Sequence, residues 1–243
     1  MNNQLIEISA GFTIHRLIPC TGGYLMVEAG SEKHFPQFLR ELESKNIKPK
    51  QIRYLFITHH HEDHAGFTAS LRKISGCRII AHKEAARFMK KGKNANTGGG
   101  VINGRTIFVG LYLYLKGVRL NFSPVKFGEE DYIVGGDDNE ILRNLGVPGK
   151  ILYTPGHSPD SISLLLDNGL CFCGDAAMGK IKWLGNRYCC IYISDVNEYY
   201  RSWEKMIQVG ATIIYPAHGN IFPSEKLEQN LHYFKQEKLL FAK

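Results

Sequence analysis

The sequence predicts an α/β (α+β) fold in one domain over residues 1–243, and three observations carry that prediction. Short β-branched and aromatic runs alternate with segments of helical apolar spacing through the first half of the chain. The second half is richer in strands, and hydrophobic residues make up 44% of the 243 positions, ample for a sizeable core. Mixed folds of this length are routinely one domain.

Taken in order, Leu5, Ile6, Ile8, Phe12, Ile14, Leu17 and Ile18 suggest two early strands, and Gly22-Gly23 turns the chain into a buried strand from Tyr24 to Gly30. Phe35, Phe38, Leu39 and Leu42 recur at helical spacing before Asn46 and Pro49 and predict a helix of about three turns. Ile52 to Ile57 is a short, largely buried strand, and Phe67, Leu71 and Ile74 fit one face of a short helix. Cys77 to Ala81 reads as a strand and Lys83 to Lys91 as a helix. His82, at the end of its strand with no partner close in sequence, reads as a structural histidine rather than a ligand.

Gly92 to Gly100 breaks the pattern with a polar, glycine-rich stretch expected to be mobile, such as a lid hinge. Ile107 to Leu115 beyond it is more apolar than a surface insertion should be, so 92–120 reads as an insertion with two possible uses. Its apolar part is either a core strand or helix, or an apolar wall over a site in which Tyr112 and Tyr114 line a pocket or a subunit contact. If exposed, it predicts a homodimer.

Val125 to Val134 and Lys150 to Tyr153 read as strands, with Gly135-Gly136-Asp137 and Pro148-Gly149 as turns. Thr154 to Ser161 is a tight loop carrying His157, followed by a strand at Ile162 to Leu166; Leu170 to Cys173 is a further strand that ends in Gly174-Asp175. Asp195 with Glu198 matches a capping box, ahead of a helix with Tyr199, Trp203, Met206 and Ile207 on its apolar face. Thr212 to Tyr215 is a buried strand leading to His218, and Leu227, Leu231, Phe234 and Leu239 predict a closing helix.

Composition removes several classes of function. The net charge of +7 suits solubility; the basic clusters at Lys83 to Lys93 and Lys226 to Lys243 are interrupted by acids and leave no footprint for nucleic acid. The run from Ile107 to Leu115 contains Gly110 and is too short to span a bilayer, and Met1 to Ala10 lacks the basic start and apolar core of a signal peptide. A soluble cytoplasmic protein with no membrane partner is expected. The 6 cysteines lack C-x-x-C spacing, and Cys171 and Cys173 read as two small buried residues on one face of a strand.

The chemistry concentrates in Thr58-His59-His60-His61-Glu62-Asp63-His64-Ala65-Gly66. His59, His61, Asp63 and His64 are spaced so that an extended loop and the next helical turn present nitrogen and oxygen ligands from one side. His157, Asp175 and His218 each fall where an apolar strand runs into a loop. Any one of these is more often a cap or turn residue than a ligand. In this order, and with the H-x-H-x-D-H core, they resemble the metallo-β-lactamase fold hydrolases over nearly the whole chain, in particular the dinuclear glyoxalase II and lactonase-like branch.

That resemblance implies a four-layer αββα sandwich with the metal site along one edge of the sheets. By the family pattern His59, His61 and His157 bind one divalent ion, Asp63, His64 and His218 a second, and Asp175 bridges them. Imidazole with carboxylate suits zinc, and also iron or manganese. Two such ions about 3.5 to 4 Å apart would activate a bridging hydroxide as nucleophile, with Asp63 as the catalytic residue that orients it and moves its proton. His60 and Glu62 alternate with the ligands and are expected to point away from them, either supporting the ligands from behind or standing exposed.

The implied substrate is a small molecule with an acyl bond, a lactone or thioester. A phosphodiesterase or nuclease of the same fold is the alternative within enzymes, and a non-catalytic metal- or ligand-binding module the alternative outside them. Asp175 separates the chain from the zinc β-lactamases, which as a group lack that carboxylate. Quorum-signal lactonases carry a tyrosine where Met178 stands here, with Tyr188 or Tyr192 as substitutes for substrate binding. Glyoxalase II enzymes need a basic helical extension, for which Lys226, Lys235 and Lys238 are the candidates.

Overall fold

The computed structural model describes residues 5–95, 98–115, 120–234 and 239–240, and its strands form two sheets. The first orders β1 (Ile6–Ala10), β2 (Thr13–Cys20), β3 (Gly23–Val27), β4 (Ile52–Phe56), β5 (Arg78–His82) and β6 (Tyr132–Val134) as in the sequence. Its first three strands are antiparallel; β3 to β6 are parallel, which is why their sequences read as continuous apolar runs. The second contains β7 (Gly149–Tyr153), β8 (Ile162–Leu166), β9 (Leu170–Gly174), β10 (Ile213–Pro216) and β11 (Phe222–Pro223), in the order β11-β10-β9-β8-β7.

Strand side chains alternate between faces, and that alternation sorts the core into three. Leu25, Val27, Phe56 and Ile80 of the first sheet meet Ile151, Ile162, Leu164 and Phe172 of the second. Met26, Leu55 and Ile79 face the other way, onto Phe38 and Leu42 of α1 (Phe35–Ser44) and Leu71 of α3 (Thr68–Ser75). Cys171, Cys173 and Ile214 face outward from the second sheet onto Tyr199, Trp203 and Met206 of α7 (Val196–Gln208) and Leu227 of α8 (Glu225–Phe234). The layers are therefore helix, sheet, sheet, helix, as the four-layer sandwich requires.

Several elements differ from the sequence expectation. The strand expected over Val125 to Val134 is reduced to β6, because Asp131 closes a turn with Gly128 and spends its other carboxylate oxygen on the Ile79 amide (2.8 Å). The strand expected to run to Gly30 stops at Val27, where Glu28 takes φ 71°. Asp195 caps α7 by accepting from the Asn197 and Glu198 amides, but its own N–H donates to the Gly156 carbonyl (2.9 Å), so the reciprocal half of the box is absent.

Ile107 to Leu115 is not a strand, and none of its described side chains is buried. It belongs to α5 (Gly104–Leu115), started by Asn103 accepting from the Arg105 and Thr106 amides, and Phe108 and Tyr112 are 73% and 53% exposed. The Tyr114 side chain lies outside the description. Before the helix, Gly100 exchanges backbone hydrogen bonds with Ile193 (2.9 Å each way), so this end of the glycine-rich stretch is tied down rather than loose. Asn96 and Thr97 lie outside the described residues. Leu239 does not extend the closing helix: α8 is described to Phe234, and Leu240 pairs with Val101. Residues 235–238, including Lys235 and Lys238, lie outside the description.

Candidate metal centre

Strand ends supply every residue of the H-x-H-x-D-H constellation and its later partners. β4 leads through Ile57 and Thr58 to His59; His61 is the extended N-cap of α2 (Glu62–Ala65), and Asp63 and His64 sit on that helical turn. His157 lies in the loop from β7 to β8, Asp175 directly follows β9, and His218 follows β10. Gly174 lets β9 come this close: at φ 55° an added Cβ would meet the Thr58 hydroxyl at 2.2 Å. Loops at the carboxyl ends of buried strands thus converge on one point.

The seven side chains come together in two groups with a carboxylate between. His59 Nε2, His61 Nδ1 and His157 Nε2 form a triangle with sides of 3.0 to 3.1 Å. His64 Nε2 and His218 Nε2 are 3.2 Å apart, with Asp63 Oδ1 3.7 Å from the first and Oδ2 3.3 Å from the second. Asp175 places Oδ1 at 3.6 and 3.5 Å from His64 and His218, and Oδ2 at 3.8 Å from His157. One oxygen therefore faces each group.

Protein oxygens hold the outward faces of these rings. His157 Nδ1–H donates to the Tyr192 carbonyl and His218 Nδ1–H to the Phe12 carbonyl, both at 2.8 Å. His59 Nδ1 is 3.1 Å from Thr58 Oγ1, which donates to Glu28 Oε1, and the same Glu28 oxygen is 3.3 Å from His64 Nδ1. A proton kept on the outer nitrogen leaves the inner lone pair directed into the cluster.

Charge is divided unevenly across the cluster. Burial lowers His59 and His157 and takes His61 down to about 3, so these imidazoles are neutral at pH 7, with lone pairs free to meet a cation. On the other side burial opposes charge on His64 and His218, but Asp63 and Asp175 outweigh it, and both imidazoles are raised. Asp63 and Asp175 are in turn held below the carboxylate range: burial would raise them, and His64 and His218 more than reverse it.

The donor set fits divalent cations. Around a tetrahedral ion with bonds of about 2.0–2.1 Å, neighbouring nitrogens stand about 3.3 Å apart, close to the separations in the first triangle. Asp175 Oδ1 is buried with no hydrogen-bond partner, a cost that a cation between it and His64 and His218 removes. Ligand atoms of His59, His61 and His157, of His59, His64 and Asp175, and of Asp63, His64 and His218 lie within 4.8 Å of one another in each group.

Two buried contacts around the cluster were not foreseen. His60 and Glu62 point away from it and are both buried, the first of their two expected positions; what the sequence did not give is their partners. Asp160 accepts from the His60 backbone N–H (2.8 Å) and from Nδ1–H (2.9 Å), and His60 Nε2 accepts from the Ala95 amide (2.9 Å). Glu62 accepts from the Glu32 amide, while its own amide donates to Asn94 Oδ1 (2.8 Å). His60 and Glu62 thus tie Ala95 and Asn94, at the start of the insertion, to the loop that carries the cluster. His82, by contrast, caps α4 (Lys83–Met89) and stacks on Tyr153.

A cleft of about 1170 Å³ opens onto the cluster, walled by Phe108 and Tyr112 of α5 and by Leu120, Met178, Trp183, Ile191 and Tyr192. Tyr192 is thus beside the cluster, its hydroxyl donating to the Gly98 carbonyl. Tyr188 is not: its ring packs on Phe222, centroids 4.3 Å apart, and it lines no part of the cleft. Lys226 sits on α8, bonded to Gln229, and also lies outside the lining.

This fold and this cluster define a class. The chain belongs to the metallo-beta-lactamase superfamily, whose profile matches residues 20–218. It is 28% identical over 102 residues to a beta-lactamase-like protein 2 homolog of Drosophila melanogaster, covering 41% of this chain and 32% of that protein. It is 25% identical over 163 residues to a hydroxyacylglutathione hydrolase of Rhodopseudomonas palustris, covering 63% of this chain and 47% of that protein. The chain thus spans about a third to a half of these relatives. A metallo-beta-lactamase family protein of Thermus thermophilus superposes with a TM-score of 0.68 at 16% identity, covering 96% of this chain and 79% of the other, a likeness of fold. Among the described residues, no helix is long and apolar enough to cross a membrane.

Proposed function

We propose that this protein is a metal-dependent hydrolase of an acyl bond, a lactone or thioester, in a small molecule. The observation that carries the reading is Asp175, with one carboxylate oxygen turned to each of two imidazole groups at the floor of an apolar cleft. His59, His61 and His157 would hold one divalent ion, Asp63, His64 and His218 the other, and Asp175 would join them; zinc fits this donor set first, with iron or manganese as alternatives. When bound, the ions supply Lewis acidity and make water acidic enough to lose a proton near neutral pH.

The chain's own residues do the rest. Asp63 keeps 38% of its side chain exposed to the cleft against 10% for Asp175, so its carboxylate is the one placed to orient the attacking water and to relay its proton to the leaving atom. Phe108, Tyr112 and Ile191 bind the acyl part and exclude water from the bond being cut. An acyl-glutathione is the substrate named for the Rhodopseudomonas relative, which supports an acyl bond here at a distance. A homodimer through the exposed face of α5 is a further expectation, and a monomer by light scattering at high concentration would remove it.

The test uses zinc- or manganese-loaded protein and its His59→Ala variant on a long-chain lactone, an acyl thioester and an activated phosphodiester. Turnover of lactone or thioester is expected, reduced in the variant by more than the about 10- to 100-fold that loss of an outer partner costs. Cleavage of the phosphodiester alone would overturn the acyl reading, and no turnover at all would leave a binding module.

A further inference from the structure

We propose that the cleft is built for an amphipathic anion: an ester or thioester that joins a long apolar group to a negatively charged one. This rests on the acyl-hydrolase reading and adds to it the size and charge of the substrate.

Size and walls come first. Pockets for compact ligands run to about 1000 Å³, and this cleft, at about 1170 Å³, exceeds that. Phe108, Leu120 and Trp183 line it while remaining 73%, 61% and 80% exposed. Large apolar side chains gathered at one opening and left in water are surface that folding did not use, and they mark a place where an apolar group is received.

Charge is the second, independent observation. Three cations line the same cleft from three separate segments: Lys33 in the turn before α1, Arg105 in the first turn of α5, and Lys180 five residues beyond Asp175. Among the described residues none of them forms an ion pair. Lys180 Nζ sits 5.4 Å over the Phe12 ring, which fixes an ammonium directly beside an apolar wall. The carboxylates in the lining lie apart from Arg105 and Lys180: Glu62 accepts from the Glu32 amide and feels Lys33, while Asp63 and Asp175 belong to the cluster at the floor. The cleft is thus apolar, with Arg105 and Lys180 on its wall outside any ion pair among the described residues, and low-dielectric walls strengthen their pull on an anion. Phosphate and carboxylate share the required chemistry.

Direct binding separates the possibilities without relying on turnover. Non-hydrolysable S-decyl thioethers of coenzyme A, of glutathione and of N-acetylcysteamine present the same chain with phosphates, with carboxylates and with no charge; S-methyl-coenzyme A removes the chain. By calorimetry on the zinc-loaded protein, at least one charged decyl thioether should bind about tenfold or more tightly than the neutral one, and S-decyl- should similarly exceed S-methyl-coenzyme A. The charge preference should shrink with added salt and in the Arg105→Ala/Lys180→Ala variant, whose two positions are exposed and seldom critical for folding. The charged arm that wins identifies phosphate or carboxylate.

Neutral and charged thioethers binding within about twofold, equal binding of methyl and decyl chains, or no binding at all would each overturn the inference. Decanoyl thioesters assayed in parallel keep the two readings apart. Turnover without charge preference sinks this inference alone, whereas charge-selective binding without turnover sinks the hydrolase.

Discussion

The ligand loops and helix α5 border one cleft and are built on opposite terms. In the loops, His59, His60 and His64 are fully buried, and hydrogen bonds or ion contacts from Glu28, Thr58, Asp160, Phe12 and Tyr192 fix their neighbours and themselves. On α5, Phe108 and Tyr112 stand largely in water. Side chains that must meet at one point need a rigid surround that holds them to a fraction of an ångström, whereas an apolar wall needs only area.

The comparison breaks first if the rigid side can lose a support cheaply. Asp160 is buried and accepts from both the backbone N–H and the Nδ1–H of His60, and removing it leaves two buried donors without a partner, at about 1–3 kcal/mol each. Asp160→Ala should therefore lower the urea midpoint by an amount equivalent to about 2–6 kcal/mol for the two together. It should also free the Ala95 end of the insertion, read as faster amide exchange there. A loss under about 1 kcal/mol would show that the surround is not what holds the ligand loop.

Acid tests the same region through a residue that is not a ligand. His15 is fully buried between Phe38 and Phe67, and burial takes it from 6.5 to about 4 against the opposing hydrogen bond from its Nδ1–H to the Glu28 carbonyl. Its folded value lies below its unfolded one, so below pH 6.5 the unfolded chain takes a proton that the folded chain does not. Stability is whole above 6.5 and falls as pH drops toward 4, by about 3 kcal/mol for this group at one pKa unit per 1.36 kcal/mol. His64 and His218 have the opposite sign: their contribution is fully present below 6.5 and is lost as pH rises through their raised values, so they add nothing to the acid loss. Asp63 and Asp175 contribute above the ordinary carboxylate value and lose it only below that. In metal-free protein, His15→Phe should show a smaller stability loss between pH 6.5 and 4.5 than the parent. Equal losses would place the acid sensitivity elsewhere.

The two regions also differ in how far the sequence discloses them. The seven residues expected as ligands stand out in the sequence because four fall within Thr58 to Gly66 and the others each follow an apolar strand, and the structure brings their side chains to one point. Their supports do not, since Glu28 stands 30 residues from Thr58 and Asp160 stands 100 from His60, and an aspartate in a Pro-containing loop looks like any turn residue. Tyr188 and Tyr192 were indistinguishable as neighbours in one loop; only the packing on Phe222 removes the first from the cleft. On α5 the ambiguity was of another kind. An apolar run reads alike whether it ends in a core or at a cleft, because hydrophobicity reports what could be buried and not what is.

The smallest expected effect sharpens the comparison from the α5 side. Because Phe108 is 73% exposed, Phe108→Ser removes little that folding buried, and the urea midpoint should stay within about 0.5 kcal/mol of the parent. The same change takes an aromatic wall from the cleft, so binding of a decyl thioether should weaken by about three- to tenfold while that of a methyl thioether holds. The ratio of decyl to methyl affinity is the quantity to follow, since it cancels any general loss of active protein. A fall in stability of about 2 kcal/mol with no change in that ratio would make α5 a structural helix after all, and the contrast between a buried floor and an exposed apolar wall would no longer describe this cleft.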